Sequence, residues 1–173
     1  ITDMPFRQLC KEMGADLLIT EFIASEALNR DAEKSLRKMR FTAGQRPIGI
    51  QIFGANEEEL LRCLDVVEQA EPDFIDINWG CPVRKVAGKG AGSGILQDIP
   101  KMLAITAAMV KRSRLPVTVK TRLGYSTDSM MITDFCEALQ DTGIAALSIH
   151  GRTKAQMYSG VADWTMIGAV KNN

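Results

Sequence analysis

The segment Asp76-Ile-Asn-Trp-Gly-Cys-Pro82 holds the most suggestive chemistry in the 173 residues. An apolar run ends at Asn78, Gly80 permits a tight bend and Pro82 stiffens the exit, so Cys81 rides a loop at a strand end. An unperturbed thiol is mostly protonated at neutral pH and can donate a proton; a nearby helix N-terminus or lysine favours thiolate instead. The residue reads equally as a small buried hydrophobe. Asn78 can meet a ligand amide or cap the loop. Lys120-Thr-Arg122 and His150-Gly-Arg-Thr153 close two later apolar runs. A lysine on the inward phase of a strand is costly to bury unless an anion meets it, and Arg152, after a glycine, suits phosphate. Each alone is an ordinary surface or core group. Two cationic strand ends in succession point to a shared anionic ligand, such as a phosphorylated cofactor.

Other motifs are weaker. The glycines at 88, 90, 92 and 94 satisfy neither G-x-x-x-x-G-K-[ST] nor G-x-G-x-x-G, which leaves a flexible loop folding over a site. Arg84, Lys85 and Lys89 in that loop, with Arg152 and Lys154, could share a face and hold a nucleic-acid backbone, or be plain solvated charges. Lys34, Arg37, Lys38 and Arg40 read as a solvated helix face.

The elements that must position these residues alternate. Strand-length apolar runs cover residues 16–20, 47–53, 73–78, 116–121 and 145–150. Helical patterns cover 56–70, 98–112 and 128–139. Asn56 and Glu59 have capping-box spacing, Pro100 lies near a helix start, Met131, Phe135 and Leu139 share a stripe, and Gly143 is a stop signal. Thr2 or Asp3 can cap a first helix whose Phe6, Leu9, Cys10 and Met13 are expected to face inward. Strand–helix alternation implies parallel pairing, in a doubly wound sheet or a (β/α)8 barrel. Thr20-Glu21, Gln51, Asn78, Lys120 and His150 all fall at C-terminal strand ends, which ring one mouth in a barrel. The reading is therefore an incomplete (β/α)8 TIM barrel, strands two to six, in a single partial domain over 1–173. A first strand and the last strands are expected outside it.

Composition bounds the rest. Twenty-one basic residues against 21 acidic ones exclude a bulk polycation, and a single histidine excludes a His-rich metal site. No metal is expected. No apolar run reaches membrane-spanning length, and the opening residues have no signal-peptide pattern. Four scattered cysteines without C-x-x-C spacing point to the cytoplasm.

With these residues in hand, the sequence resembles the tRNA-dihydrouridine synthases, most closely the bacterial branch. The motifs run in order: Thr2-Asp-Met-Pro-Phe-Arg7, Thr20-Glu21, Gln51-Ile-Phe-Gly54, Asp76-Ile-Asn-Trp-Gly-Cys-Pro82, Gly90-Ala-Gly-Ser-Gly94, Val119-Lys-Thr-Arg122, His150-Gly-Arg-Thr153 and Tyr158-Ser-Gly-Val-Ala-Asp-Trp164. The resemblance implies an FMN-binding barrel that reduces a tRNA uridine to 5,6-dihydrouridine with NADPH as reductant. Reduced flavin gives hydride to C6, and the loop cysteine, matched by Cys81, protonates C5. It implies FMN contacts for Gln51, Lys120 and His150, with Lys120 stabilising negative charge on the reduced ring. Asn78, Arg122 and Arg152 would meet flavin, target base or RNA, and the uridine must swing out of the tRNA to react. It further implies a C-terminal helical tRNA-binding domain beyond these residues and a monomeric full-length protein. Two other readings use the same residues: a flavin barrel for a free pyrimidine, like dihydroorotate dehydrogenases, and a non-catalytic RNA-binding barrel.

Overall fold

The computed structural model describes residues 2–129 and 132–172. Its strands are β1 (Leu18–Ile19), β2 (Ile23–Ala24), β3 (Ile48–Phe53), β4 (Phe74–Asn78), β5 (Val117–Arg122) and β6 (Ala146–His150). All pair in parallel in the order β1-β3-β4-β5-β6, with β2 on the far half of β3. Successive side chains in a strand point to opposite faces, and parallel neighbours in register keep those faces continuous. One face is aliphatic: Ile50, Ile52, Ile75, Ile77, Val117 and Val119 join the core beneath α4 (Glu57–Gln69), α6 (Ile99–Arg112) and α7 (Ile132–Asp141). The other face carries Gln51 beside Asp76, Asn78 beside Lys120, and Arg122 beside His150. Polar groups on the face away from the covering helices make this an α/β half-barrel, an incomplete TIM barrel, rather than a doubly wound sheet with both faces packed.

Local chemistry sets the helix starts. The Asn56 side chain accepts the Glu59 N–H at 2.9 Å, and Glu57, Glu58 and Glu59 put negative charge at the positive end of α4. Asp98 accepts the Lys101 N–H at 3.1 Å, and Pro100 occupies a first-turn position of α6 where no N–H is missed. Phe135 and Leu139 of α7 are buried as their stripe requires. Met131, the third member expected there, lies outside the described residues.

Three expectations change. The first apolar run, 16–20, holds only β1, and pairing with β3 resumes beyond it in β2: Ile19 pairs with Gly49 and Ile23 with Ile52, so one extra residue bulges out between the two strands. The Thr20 hydroxyl fills the gap by accepting the Gln51 backbone N–H at 3.1 Å. In α1 (Met4–Glu12), Phe6, Leu9 and Met13 are exposed and Cys10 is half-buried; the buried residue is Arg7. Its guanidinium donates to Gln45 Oε1 and to the carbonyls of Thr2 and Arg40, so polar ties rather than the apolar stripe decide which side of α1 faces in. The glycine-rich stretch is not a loose lid. It forms α5 (Arg84–Ala87) and a 3-10 turn (Gly92–Gln97), and residues 91–96 are all buried.

Candidate active site

The strand ends on the polar face converge at one mouth, and β4 runs straight into the cysteine loop. Asn78, the last residue of β4, turns its Oδ1 back to accept the N–H of Gly80 at 3.0 Å and of Cys81 at 2.8 Å. From the other side Ser93 donates its N–H (3.0 Å) and its hydroxyl (2.8 Å) to the Cys81 carbonyl. Both backbone polar groups of Cys81 are thus held, and the residue is only 6% exposed. Gly92 makes this contact possible: it adopts φ +53°, and a Cβ there would lie 2.9 Å from Cys81 Cβ. Trp79, wholly buried, anchors the loop from beneath through Nε1–H to Thr106 Oγ1 at 3.1 Å.

Gln51 and Asn78 are joined. Asn78 Nδ2 donates to Gln51 Oε1 at 2.8 Å, and Gln51 Nε2 donates to Asp76 Oδ2 at 2.6 Å. Thr118 donates its hydroxyl to the other Asp76 oxygen at 2.5 Å. Burial pushes the Asp76 carboxyl above its usual range, against the pull of Thr118, Gln51 and the Lys120 charge.

Lys120 sits beside Asn78 in register, half-buried, and no carboxylate among the described residues lies within ion-pair distance of it. Burial, then the Arg122 charge, lowers its pKa, while Asp76 and Cys81 act in the opposite sense. His150 is lowered too, by burial and by Arg122, Lys120 and Arg152, so it is held neutral near pH 7. Its Nδ1 is buried without a hydrogen-bond partner. A cation without a counterion and an orphaned ring nitrogen on one face suit an anionic, hydrogen-bonding ligand.

Arg122 is placed as a brace. It donates to the carbonyls of Gly80 (2.8 Å), Thr153 (3.0 Å) and Met157 (2.9 Å), tying the cysteine loop to the loop after β6, and its guanidinium lies 5.8 Å from the Tyr158 ring centre. Arg152 donates to the Ser159 and Gly160 carbonyls, and Lys154 reaches the Tyr125 hydroxyl. Arg152 therefore holds its own loop together and Lys154 ties that loop to the one after β5, while Arg84, Lys85 and Lys89 stand exposed on the segment after β4. Sequence reasoning gave no separate role to Asp76, Thr118 and Ser93. The first two share the strand parity of Asn78 and Lys120 and could have been found that way; nothing local marks Ser93. Among the described residues no group of His, Cys, Asp and Glu could hold a metal, and no helix is long and apolar enough to cross a membrane.

A half-barrel with a cysteine clamped at a cationic, amide-lined mouth has the layout of a barrel enzyme. Comparison with known proteins gives the family: the dihydrouridine synthase (Dus) model matches residues 1–173, and the chain belongs to that family. A probable tRNA-dihydrouridine synthase of Rhizobium leguminosarum bv. phaseoli is 39% identical over 171 residues, covering 99% of this chain and 54% of that protein. The tRNA-dihydrouridine synthase B proteins of Xanthomonas campestris pv. campestris and Pseudomonas aeruginosa are 37% and 34% identical, each with 99% of this chain and 52% of the relative covered. The chain thus spans about half the length of these curated relatives. The carboxyl transferase domain of Rhizobium etli pyruvate carboxylase shares the fold, with a TM-score of 0.57 at 16% identity over 96% of this chain and 30% of that one.

Proposed function

We propose that the protein carrying this chain reduces a uridine in tRNA to 5,6-dihydrouridine, with Cys81 as the proton donor. The observation that carries the reading is the double clamp on Cys81, which holds a thiol at the mouth within the field of Lys120 and Arg122. Reducing the C5=C6 bond of uracil takes one hydride and one proton. When bound, FMN supplies the hydride, with NADPH as the external reductant. The chain's own residues do the rest. Cys81 releases its Sγ proton to C5, and the thiolate left behind lies within the field of Lys120 and Arg122, which both couple to it. Gln51, Lys120 and the unpartnered His150 Nδ1 are the groups that would hold the flavin. Asn78 fixes the loop, and its amide would meet the flavin or the target base. Arg122 locks the loop against the segment after β6, and Arg152 shapes that segment where RNA would approach. We assign the activity to the cytoplasm and to a monomer in which further strands and a helical tRNA-binding domain accompany this one.

The test is Cys81→Ala in the full-length protein. Flavin absorbance should persist, while single-turnover formation of dihydrouridine in tRNA drops by about 100-fold or more, the range for loss of a general acid. An unchanged rate would overturn the role of Cys81. Turnover of free uracil without tRNA would move the substrate to a free pyrimidine, and a colourless protein that binds tRNA would leave only RNA binding.

A further inference from the structure

The side-chain amides of Gln51 and Asn78 are shape-symmetric, so only their partners decide which end carries the oxygen. Here the partners form an unbroken series buried within the sheet: Thr118 and Gln51 donate to Asp76, Asn78 donates to Gln51, and the Gly80 and Cys81 N–H groups donate to Asn78. Asp76 is 1% exposed, Asn78 6% and Gln51 7%, so water cannot replace a lost partner cheaply. The Asp76 oxygen that faces Gln51 is an acceptor, which turns the Gln51 Nε2 toward it, the Gln51 oxygen toward Asn78 and the Asn78 oxygen toward the loop. Reversing either amide would set donor against donor at a buried contact.

We propose that Asp76 is a positioning residue: it orients the Gln51 and Asn78 amides in series and so holds the backbone that carries Cys81. The proposal rests on the reading of Cys81 as proton donor for its catalytic meaning, but its geometry does not. The arrangement makes a specific claim about chemistry at position 76. What the series needs is an acceptor facing Gln51, not a negative charge. Asn at this position keeps Oδ1 toward Gln51 and can donate Nδ2–H to the Thr118 hydroxyl, which reverses only the outermost bond.

Amide hydrogen exchange of the full-length protein, read by mass spectrometry on peptides covering residues 79–83, tests this without any turnover. Asp76→Ala should speed exchange at Gly80 and Cys81 by about tenfold, the loss of roughly one hydrogen bond's protection, with α4 and α6 unchanged. Asp76→Asn should restore the parent rate. Unchanged exchange in the alanine variant would overturn the proposal, and so would equal loss in both variants, because charge rather than acceptor placement would then be at work. If Asp76→Ala does not fold, Gln51→Glu decides the matter: it keeps the shape but sets carboxylate against carboxylate, and exchange at the parent rate would refute the series. Failure of the functional reading shows separately, as a parent protein that forms no dihydrouridine.

Discussion

Gly92→Ala probes the tightest contact at the site. The added methyl would lie 2.9 Å from both Cys81 Cβ and the Cys81 carbonyl oxygen and 3.0 Å from Val86 Cγ1, where ordinary contact begins near 3.4 Å. Two residues close in on that position, Cys81 with both side chain and backbone and Val86 with a methyl group. Relief needs a shift of about 0.5 Å, taken either by the 3-10 turn or by the cysteine loop. The backbone at φ +53° adds about 1 kcal/mol for a residue with a Cβ, and overpacking adds roughly 1–3 kcal/mol. The expected destabilisation is about 2–4 kcal/mol, which at roughly 2 °C per kcal/mol for a protein of the relatives' length lowers Tm by about 4–8 °C. Because Ser93 follows directly and holds the Cys81 carbonyl, the shift is transmitted to the thiol. A displacement approaching an ångström can cost about 100-fold in rate. Thermal melting and single-turnover kinetics of the full-length protein measure the two effects separately. Parent Tm together with the parent rate would refute the packing argument.

Further expectations rest on other contacts. Arg122→Lys loses the planar fork that spans the Gly80, Thr153 and Met157 carbonyls, so chemical denaturation should show about 2–4 kcal/mol of lost stability. Trp79→Phe removes the bond to Thr106 and leaves a void beneath the loop; Thr106 keeps its bond to the Met102 carbonyl, which limits the cost to about 1–3 kcal/mol by the same measurement. His150 has a folded pKa below its unfolded value near 6.5, so the unfolded chain takes up the proton first and stability should fall as pH drops through 6.5. Denaturation midpoints at pH 7.5 and 5.5 should differ less in His150→Asn than in the parent; an identical drop in both would remove the histidine from the account.

The sheet was legible because its signal is periodic. Ile48, Ile50 and Ile52 alternate with Gly49 and Gln51, and that alternation alone sends Gln51 to the mouth and the isoleucines beneath the helices. Asn78, Lys120 and His150 follow by the same parity. What local pattern could not carry was partnership across long separations. Arg7 looks like a surface residue of an amphipathic helix until Gln45 and the Arg40 carbonyl arrive from more than thirty positions away. Ser93 looks like loop filler until its turn folds back on Cys81. The glycines at 92 and 94 suggest a flexible loop in the sequence, but they record close approach: a Cβ at 94 would lie 2.1 Å from the Ala87 carbonyl oxygen. Composition shows that a side chain is missing, not what has moved into its place.

The extra residue between β1 and β2 separates two design problems that a regular strand couples. Removing one residue from the stretch 20–22 would restore even spacing against β3 while leaving Ile19 opposite Gly49 and Ile23 opposite Ile52. The aliphatic layer would be undisturbed. What would change is the stretch that holds Glu21 and Phe22, where Phe22 packs edge-on against Phe53. At this one point chain length becomes a dial for the outline of the opening, adjustable by single insertions or deletions without rephasing the interior.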